Sequence, residues 1–201
     1  MLGERRIARL EQTLRQRQPD LTVVIENIHD PHNVSAMLRS CDAAGVMQVQ
    51  LLYTTERFPK IGKKSSASAN KWIEHRKFES AEKCFAALRE EGFTILATHL
   101  GRDSLSLYDL DLTKKTALVF GNEHRGVTDE IAAMADGNFQ IPMFGMIQSL
   151  NVSVACAVTL FEAVRQRAVR GDYTQAKLSD KELHKILEDW SLNVKNRKKR
   201  S

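Results

Sequence analysis

Short, unbroken apolar runs alternate along this chain with stretches of helical periodicity, and this alternation restricts the fold more than any other feature. Six segments have the length and composition of strands: 21–25, 46–53, 72–78, 93–98, 116–120 and 139–141. Most of them lack the polar–apolar alternation of a half-exposed strand, which is typical of strands buried on both faces of a parallel sheet. The sequence therefore predicts an α/β fold with a mostly parallel sheet flanked by helices.

Helical patterns fill the spaces between the strands, and several have recognisable ends. They cover 4–18, 31–44, 81–91, a short segment after Thr128, about 150–170 and 179–189. Asp30-Pro31 supplies an N-cap followed by a proline at the first helical position, and Gly45 can end the same helix. We expect three parts: a basic N-terminal helix over 1–20, an α/β domain over 21–170, and a C-terminal helix with a basic tail over 171–201.

Polar and glycine-containing segments follow three of the predicted strands. They are Thr98–Gly101, Gly121–Gly126 and Ile141–Leu150. Ligands of open parallel sheets bind outside the carboxyl ends of the strands, so these segments are the candidate small-molecule site. The helix after the third segment is rich in small residues such as Ser153, Ala155 and Ala157, which permit close approach of another backbone. The alternative is an ordinary strand–loop–helix corner.

Composition excludes several classes of protein. The 201 residues contain no apolar run of 18, and the charged start of the chain lacks the apolar core of a signal peptide. Cys41, Cys84 and Cys156 are isolated and odd in number, which favours reduced thiols in a cytoplasmic protein. No group of histidines, cysteines and carboxylates has metal-ligand spacing, so no metal is expected.

Positive charge is concentrated at the two ends of the chain. Residues 1–20 contain five arginines against three acidic residues, and residues 165–201 contain eleven lysines and arginines against five acidic residues. The long polar segment 54–71 adds further lysines among serine and glycine residues. Such basic arms suit a polyanionic partner, although solvated helix faces and an unstructured tail are the alternative.

Familiar nucleotide-binding motifs are missing. The chain has no G-x-G pattern, and Val127-Thr128 follows Gly121–Gly126 where a phosphate-binding loop has Lys-Ser/Thr. What remains is a set of polar residues at strand ends and helix starts: Asn33, Arg39, Asn122, Glu123, Ser149 and Asn151. Each has an ordinary explanation as a helix cap, a turn residue or a surface ion pair, but their combination suggests a site.

Three segments carry a resemblance to a known family. NVSAMLRSCDAAG (33–45), LVFGNEHRGV (118–127) and IPMFGMIQSLNVSVACAV (141–158) resemble the three motifs of the SpoU-type RNA 2′-O-methyltransferases of the SPOUT superfamily. With ATHL (97–100) they span most of 21–170. The segment RQPDLTVVIENIHDPHNVSA further resembles the branch that methylates guanosine-18 of tRNA. Hence the resemblance implies an S-adenosylmethionine-dependent tRNA 2′-O-methyltransferase.

The resemblance also implies a deep trefoil knot in the C-terminal half of the domain, a homodimer and a cytoplasmic location. It assigns these residues to catalysis: Asn33, Arg39, Glu123, Ser149 and Asn151. It assigns these to the cofactor: Thr98, His99, Leu100, Gly121, Ile141, Ser149, Leu150 and Asn151. With the basic arms in mind, we expect these to contact RNA: Arg6, Arg9, Lys60, Lys63, Lys64, Arg165 and Arg167.

The role of Arg39 is open at this stage. The family assigns it a part in deprotonating the 2′-hydroxyl with help from a substrate phosphate, whereas a permanently charged guanidinium favours a phosphate clamp and oxyanion stabiliser. Two alternative functions also remain. The substrate is ribosomal RNA in the first, and the protein is a non-catalytic RNA-binding module in the second.

Overall fold

A single parallel sheet forms the centre of the computed structural model, which describes residues 3–59, 69–101 and 103–198. Its strands are β1 (Leu21–Glu26), β2 (Gln48–Leu52), β3 (Glu74–Phe78), β4 (Thr94–Thr98), β5 (Leu105–Ser106), β6 (Thr116–Phe120) and β7 (Gly137–Gln140). Within the described residues they lie in the order β3-β2-β1-β6-β4-β7-β5, and every pairing is parallel. The predicted parallel α/β sheet is thus confirmed.

In the part of the chain that the structure describes, six α-helices surround this sheet. They are α1 (Glu4–Arg15), α2 (Pro31–Ala43), α3 (Ala81–Glu90), α4 (Asp129–Met134), α5 (Val152–Arg170) and α6 (Asp180–Lys198). The predicted caps are present: Asp30 accepts from His32 N at the start of α2, and Thr128 accepts from Ile131 N at the start of α4. Gly171 ends α5 in the left-handed conformation, with φ 90°.

Alternate residues of the central strands point into two separate cores. Val23 and Ile25 of β1 belong to a core with residues of α2 and α5, whereas Val24 belongs to a core with residues of α3 and α4. β6 divides in the same way, with Leu118 on one face and Val119 on the other. This explains why the strands are continuously apolar, because both faces of the sheet are covered.

The ends of the chain pack against each other. Leu10 and Leu14 of α1 form a third buried cluster with Leu183 and Trp190 of α6. α6 continues nine residues beyond the predicted helix 179–189, which ended one residue before Trp190. Most other boundaries differ from the prediction by one to three residues. In addition, β5 was not predicted because it has only two residues, and Ile141 follows β7 rather than ending it.

Arg167 does not have the surface position expected of an RNA contact. Its side chain is 0% exposed, and its Nε donates to Leu112 O. Nη1 donates to Gln18 Oε1 and Asp20 Oδ1, and Nη2 donates to Asp20 O and Lys114 O. Because every donor of the guanidinium is used inside the protein, Arg167 joins α5 to the start of β1. The prediction that it binds RNA is not supported.

Within the described residues, no helix has the length and apolar character needed to cross a membrane.

Candidate active site

The three segments singled out in the sequence lie side by side at the carboxyl ends of β4, β6 and β7. With the start of α5 they enclose a cavity of about 640 Å³, which is within the usual range for a small-molecule site. All eight residues predicted to contact the cofactor line it: Thr98, His99, Leu100, Gly121, Ile141, Ser149, Leu150 and Asn151. Further lining residues include Phe120, Gln140, Met143, Gln148 and Val152.

The first residue after β6 must be glycine for this cavity to form. A Cβ on Gly121 would lie 2.2 Å from Val127 N and 2.3 Å from both C and O of Gly126. The chain therefore folds back on itself over 121–127, and the backbone of Gly126, with φ 69°, makes the return possible. A hydrogen bond of 2.8 Å from Gly126 N to Asn122 O closes the loop.

Glu123 joins this loop to the start of α2. Its carboxylate accepts from His29 N at 3.1 Å, from Asp30 N at 3.0 Å and from Asn33 Nδ2 at 3.0 Å. Asn33 Oδ1 in turn accepts from Asn151 Nδ2 at 3.1 Å. Three residues of three separate sequence motifs thus form one hydrogen-bonded chain, in which Asn151 also caps α5 through Ser153 N.

The environment of Glu123 favours its charged form. Partial burial opposes ionisation, but the hydrogen bonds from Asn33 and from backbone N–H groups outweigh it, so the pKa of Glu123 is lowered from its ordinary value. A carboxylate with a low pKa whose two oxygens accept three hydrogen bonds is a poor general base. The geometry gives Glu123 the role of holding Asn33 and the loop before α2.

Two of the predicted catalytic residues, Arg39 and Ser149, do not belong to the hydrogen-bonded chain of Glu123, Asn33 and Asn151. Arg39 lies on the exposed side of α2 and does not line the cavity. Ser149 lines the cavity, but its side chain is exposed, and the helix cap once considered for it is supplied by Asn151. A surface ion pair between Arg39 and Asp42, three residues further along α2, would be the ordinary explanation of Arg39, but the Asp42 carboxylate pairs with Arg17.

At the rim of the cavity, β4 is tied to the neighbouring strands and to α4. Thr98 Oγ1 donates to Val119 O at 3.1 Å, and His99 N donates to Phe139 O at 3.1 Å. His99 Nε2 lies 3.0 Å from Asp129 Oδ1 at the start of α4. These contacts fix the positions of Thr98 and His99 relative to the loop that follows β6.

Sequence reasoning missed Asn27, which connects this site to the next loop along the sheet. It has φ 48°, and its carbonyl accepts from Asn122 Nδ2 at 2.7 Å. An asparagine between an apolar strand and a capped helix suggests a turn. Nothing in the sequence indicates its distant partner Asn122, because the two residues meet only through the pairing of β1 with β6.

A second cavity, of about 610 Å³, lies between α1 and α6 and combines basic and aromatic side chains. It is lined by Gly3, Arg5, Arg6, Arg9, Leu10, Thr13, Arg17, Asp42, Trp72 and Trp190. The rings of Trp72 and Trp190 are 4.9 Å apart, and the guanidinium carbon of Arg17 lies 5.4 Å from the centre of the Trp190 ring. Arg6 and Arg9 are exposed here, whereas Lys60, Lys63 and Lys64 lie outside the described residues.

Apolar side chains are also exposed next to the first cavity. Phe144 and Met146 are 97% and 99% exposed, and Ile147 beside them is largely exposed. Val154 and Phe161 continue the exposed apolar surface along α5. We call these five residues the apolar face. Adjacent exposed apolar side chains of this size commonly mark an interaction surface.

Comparison with known proteins agrees with this geometry. The chain matches the SpoU rRNA Methylase family over residues 20–161. A tRNA (guanosine(18)-2′-O)-methyltransferase from Thermus thermophilus is 48% identical over 187 residues, covering 93% of this chain and 96% of that protein.

Solved structures give the same result. The A. aeolicus TrmH/SpoU tRNA modifying enzyme superposes with a TM-score of 0.89 at 40% identity, covering 95% of this chain and 97% of that one. The SpoU methyltransferase AviRb from Streptomyces viridochromogenes, solved in complex with AdoMet, has a TM-score of 0.65 at 26% identity, covering 78% and 64%. Because the family match spans more than half of the chain and close relatives cover nearly all of it, this protein belongs to the SpoU rRNA Methylase family.

Proposed function

We propose that this protein transfers a methyl group from S-adenosylmethionine to the ribose 2′-hydroxyl of guanosine-18 in the D-loop of tRNA. The observation that carries the proposal is the cavity at the ends of β4, β6 and β7, next to the hydrogen-bonded chain of Glu123, Asn33 and Asn151. The similarity to the Thermus thermophilus enzyme, over almost the full length of both chains, supports the choice of tRNA.

The residues around the cavity fit S-adenosylmethionine. Leu100, Ile141 and Leu150 provide apolar walls suited to an adenine ring, and backbone groups of the surrounding loops can form hydrogen bonds with its edge. The absence of a side chain at Gly121 keeps the loop folded tightly beside the cavity. When bound, S-adenosylmethionine supplies a methyl group that is activated by its attachment to a positively charged sulfur.

The chain must supply alignment and charge stabilisation. The ribose 2′-oxygen forms a bond to the methyl carbon while its proton leaves, so negative charge develops on that oxygen. A protonated guanidinium has no lone pair to accept this proton. We therefore propose that Arg39 clamps a substrate phosphate and stabilises the developing charge, and that the proton passes to a phosphate oxygen.

We further propose that the active protein is a homodimer whose interface includes the apolar face. Two observations support this: Phe144 and Met146 are almost fully exposed, and Arg39 lies outside the cavity of its own chain. A second copy packed on the apolar face would cover these side chains and bring its own Arg39 towards the cavity. We also propose that the loops around the cavity form the deep trefoil knot that the family resemblance implies.

Mixing two inactive proteins tests the shared site. R39A and a variant that cannot bind the cofactor are each inactive as homodimers, but a mixed dimer has one intact site if Arg39 acts across the interface. We expect activity to return towards a quarter of the wild-type value after the two are unfolded and refolded together. No regain, with mixed dimers detected by native mass spectrometry, would place Arg39 and the cofactor in the same chain.

The basic cavity between α1 and α6 is proposed to hold the RNA backbone, with Trp72 available for stacking. Arg6 and Arg9 are exposed cations of this cavity. Arg165 lies outside it, on the exposed part of α5, and is proposed as a further RNA contact. If Arg9 contacts one phosphate, R9A should lower the slope of log affinity against log salt by about 1. Substitution of an exposed lysine remote from this cavity, K83A, is the matched control and should leave the slope unchanged.

Methylation of unmodified tRNA is the direct test. Purified protein, labelled S-adenosylmethionine and a tRNA transcript are incubated, and nuclease digestion with mass spectrometry locates the methyl group. We expect 2′-O-methylguanosine at position 18, and a transcript with adenosine at that position should stay unmethylated. Methylation of ribosomal RNA alone would instead support the ribosomal alternative. We also propose a cytoplasmic location, which is supported by the three free, buried cysteines.

A further inference from the structure

Asn27 adopts a backbone conformation that is rare outside glycine. It is the one non-glycine residue with positive φ in the part of the chain that the structure describes, with φ 48°, and its side chain is only 1% exposed. Asparagine tolerates this region better than most residues, but the conformation persists only where the surroundings hold it. The contacts of Asn27 therefore show what holds it and what it holds.

The side chain of Asn27 organises the turn that follows β2. Its Oδ1 accepts from the backbone N–H groups of Thr54, Thr55 and Glu56, at 2.9, 3.2 and 3.2 Å. Only an oxygen can accept from three donors, so these contacts determine the orientation of the amide. Its Nδ2 donates to Glu26 Oε1 at 2.6 Å and to Thr54 Oγ1 at 2.9 Å.

The backbone of Asn27 reaches in the opposite direction, to the loop that lines the cavity. Its carbonyl accepts from Asn122 Nδ2 at 2.7 Å, and Asn122 Oδ1 accepts from His124 N at 3.0 Å. A second connection joins the same two loops, since Arg125 Nη2 donates to Thr55 Oγ1 at 3.0 Å. One buried residue thus links the turn 54–56 to the loop 121–126.

We propose that Asn27 is a positioning residue for methyl transfer, which holds the turn 54–56 and the cavity loop 121–126 in one fixed arrangement. This rests on the proposed function, because the turn leads through Arg57 into the lysine-containing segment expected to contact RNA, while the loop borders the cofactor. A fixed distance between the two aligns the ribose with the methyl group. A misplacement of about 1 Å at such a site can lower the rate about 100-fold.

Replacement by glycine separates the side chain from the backbone conformation. N27G keeps positive φ without strain, and keeps the carbonyl that accepts from Asn122, but it removes the acceptor of the three N–H groups. We expect amide hydrogen exchange of Thr54, Thr55 and Glu56 to become at least about tenfold faster. The reason is that their N–H groups lose the hydrogen bonds to Asn27 Oδ1, which must otherwise break before exchange. We expect the Kd for S-adenosylmethionine to stay within about threefold, and kcat for tRNA to fall about tenfold or more.

A helix-cap variant controls for a general loss of stability. S80A removes the Ser80 side chain that accepts from Lys83 N at the start of α3, away from the cavity. It should lower the Tm without changing kcat or exchange at 54–56. A Tm of N27G similar to that of S80A, together with a much lower kcat, would support a positioning role.

Replacement by aspartate provides a pH signature that a purely structural role would not produce. N27D places a second carboxylate against Glu26 Oε1, where the amide donor stood at 2.6 Å. Burial already raises the pKa of Glu26, against the effects of Asn27 and Arg125, so the two carboxylates should share one proton as the pH falls. The shared proton restores the lost hydrogen bond, and the ratio of N27D to wild-type kcat should rise on acidification.

Other charged groups near this pair are the same in both proteins. Arg125 Nη2 lies 3.9 Å from Glu26 Oε1, and His29 Nδ1 lies 3.6 Å from Glu56 Oε2 in the adjoining turn. Tyr53, whose Oη donates to Ile28 O, has a pKa raised by burial and by the charges of Glu123 and Glu26. Because both proteins contain these groups, the ratio of the two kcat values at each pH reports the effect of the substitution.

Two results would overturn the proposal. The first is N27G with faster exchange at 54–56 but a wild-type kcat, which would make the turn irrelevant to catalysis. The second is N27G with cofactor affinity and kcat reduced in parallel with the Tm, as expected of damage to the fold. Wild-type protein that methylates no tRNA would refute the proposed function instead, and the exchange experiment would still report whether Asn27 holds the turn.

Discussion

Substitution of Gly121 by alanine is the sharpest test of the cavity as the cofactor site. The new Cβ would lie 2.2 Å from Val127 N and 2.3 Å from the carbonyl carbon and oxygen of Gly126, where ordinary contacts begin near 3.4 Å. The loop must therefore move by about 1 Å. It cannot do so by rotating a side chain, because the atoms in the way are backbone, and Val127 is itself buried.

The size of the effect follows from this displacement. A shift of about 1 Å in a positioned site lowers activity about 100-fold, equivalent to about 2.8 kcal/mol at 1.4 kcal/mol for each factor of ten. We expect a similar loss of affinity for S-adenosylmethionine in isothermal titration calorimetry. Overpacking of this kind also destabilises a protein, by about 1 to 3 kcal/mol, so a lower Tm is expected as well.

Two other glycines separate the possible causes. Gly126 has φ 69° and Gly92 has φ 82°, but a Cβ at either position would meet no atom within 4 Å. G92A lies far from the cavity and should lower the Tm, through the strain of an alanine at positive φ, without changing the Kd. G126A introduces the same backbone strain within the cavity loop but no clash, so its effect on the Kd measures backbone strain alone. A G121A protein with a Kd within threefold of wild type would refute the cofactor assignment, whatever its stability.

Three further predictions concern the hydrogen-bonded chain and the buried ion pairs. E123Q should lower the Tm and lose about ten- to 100-fold in kcat, because a single amide oxygen cannot replace a charged acceptor of three hydrogen bonds, each worth about 1.5 to 3 kcal/mol; unchanged kinetics would remove Glu123 from the site. R167A should reduce the free energy of unfolding in urea by about 3 to 5 kcal/mol, because it breaks a buried ion pair with Asp20, which keeps its contact with Lys177, and leaves the carbonyls of Leu112 and Lys114 without this donor, whereas R165A should have a Tm close to wild type. Asp20 is partly buried, which by itself raises its pKa, but hydrogen bonds from Lys177 and Arg167 lower the pKa below the ordinary value of 3.8. The stability due to this low pKa is present above about pH 4 and is lost on acidification, so the Tm of D20N should fall less than that of wild type between pH 5 and pH 3. Parallel Tm curves for the two proteins would contradict this assignment.

Local patterns were sufficient for most of the elements. Asp30-Pro31 and Gly45 marked the ends of α2, Thr128 marked the start of α4, and β6 was predicted with the observed bounds. These features depend on nearby residues, because a cap or a turn is decided within a few positions of the chain. The apolar runs also predicted a sheet covered on both faces, which the two separate cores confirm.

Surface and buried cations could not be told apart in the same way. Arg165 and Arg167 lie two residues apart on α5, yet the first is exposed and paired with Glu162, while the second is fully buried. Their helical positions differ by about 200°, so one faces solvent when the other faces the protein. Sequence composition counted both as basic, and only the packing of α5 against β1 decided between them.

The sequence by itself determined the parallel α/β class and the three segments that border the cavity, and its resemblance to a family indicated eight of the residues that line it. It also contained Asn33, Glu123 and Asn151, but nothing local indicates that these three side chains form one chain of hydrogen bonds. That arrangement, and the position of Asn27 between two loops, depends on the order β2-β1-β6-β4 in the sheet. Strand order is set by the burial of whole faces against helices distant in the chain, so only the tertiary structure could bring these residues together.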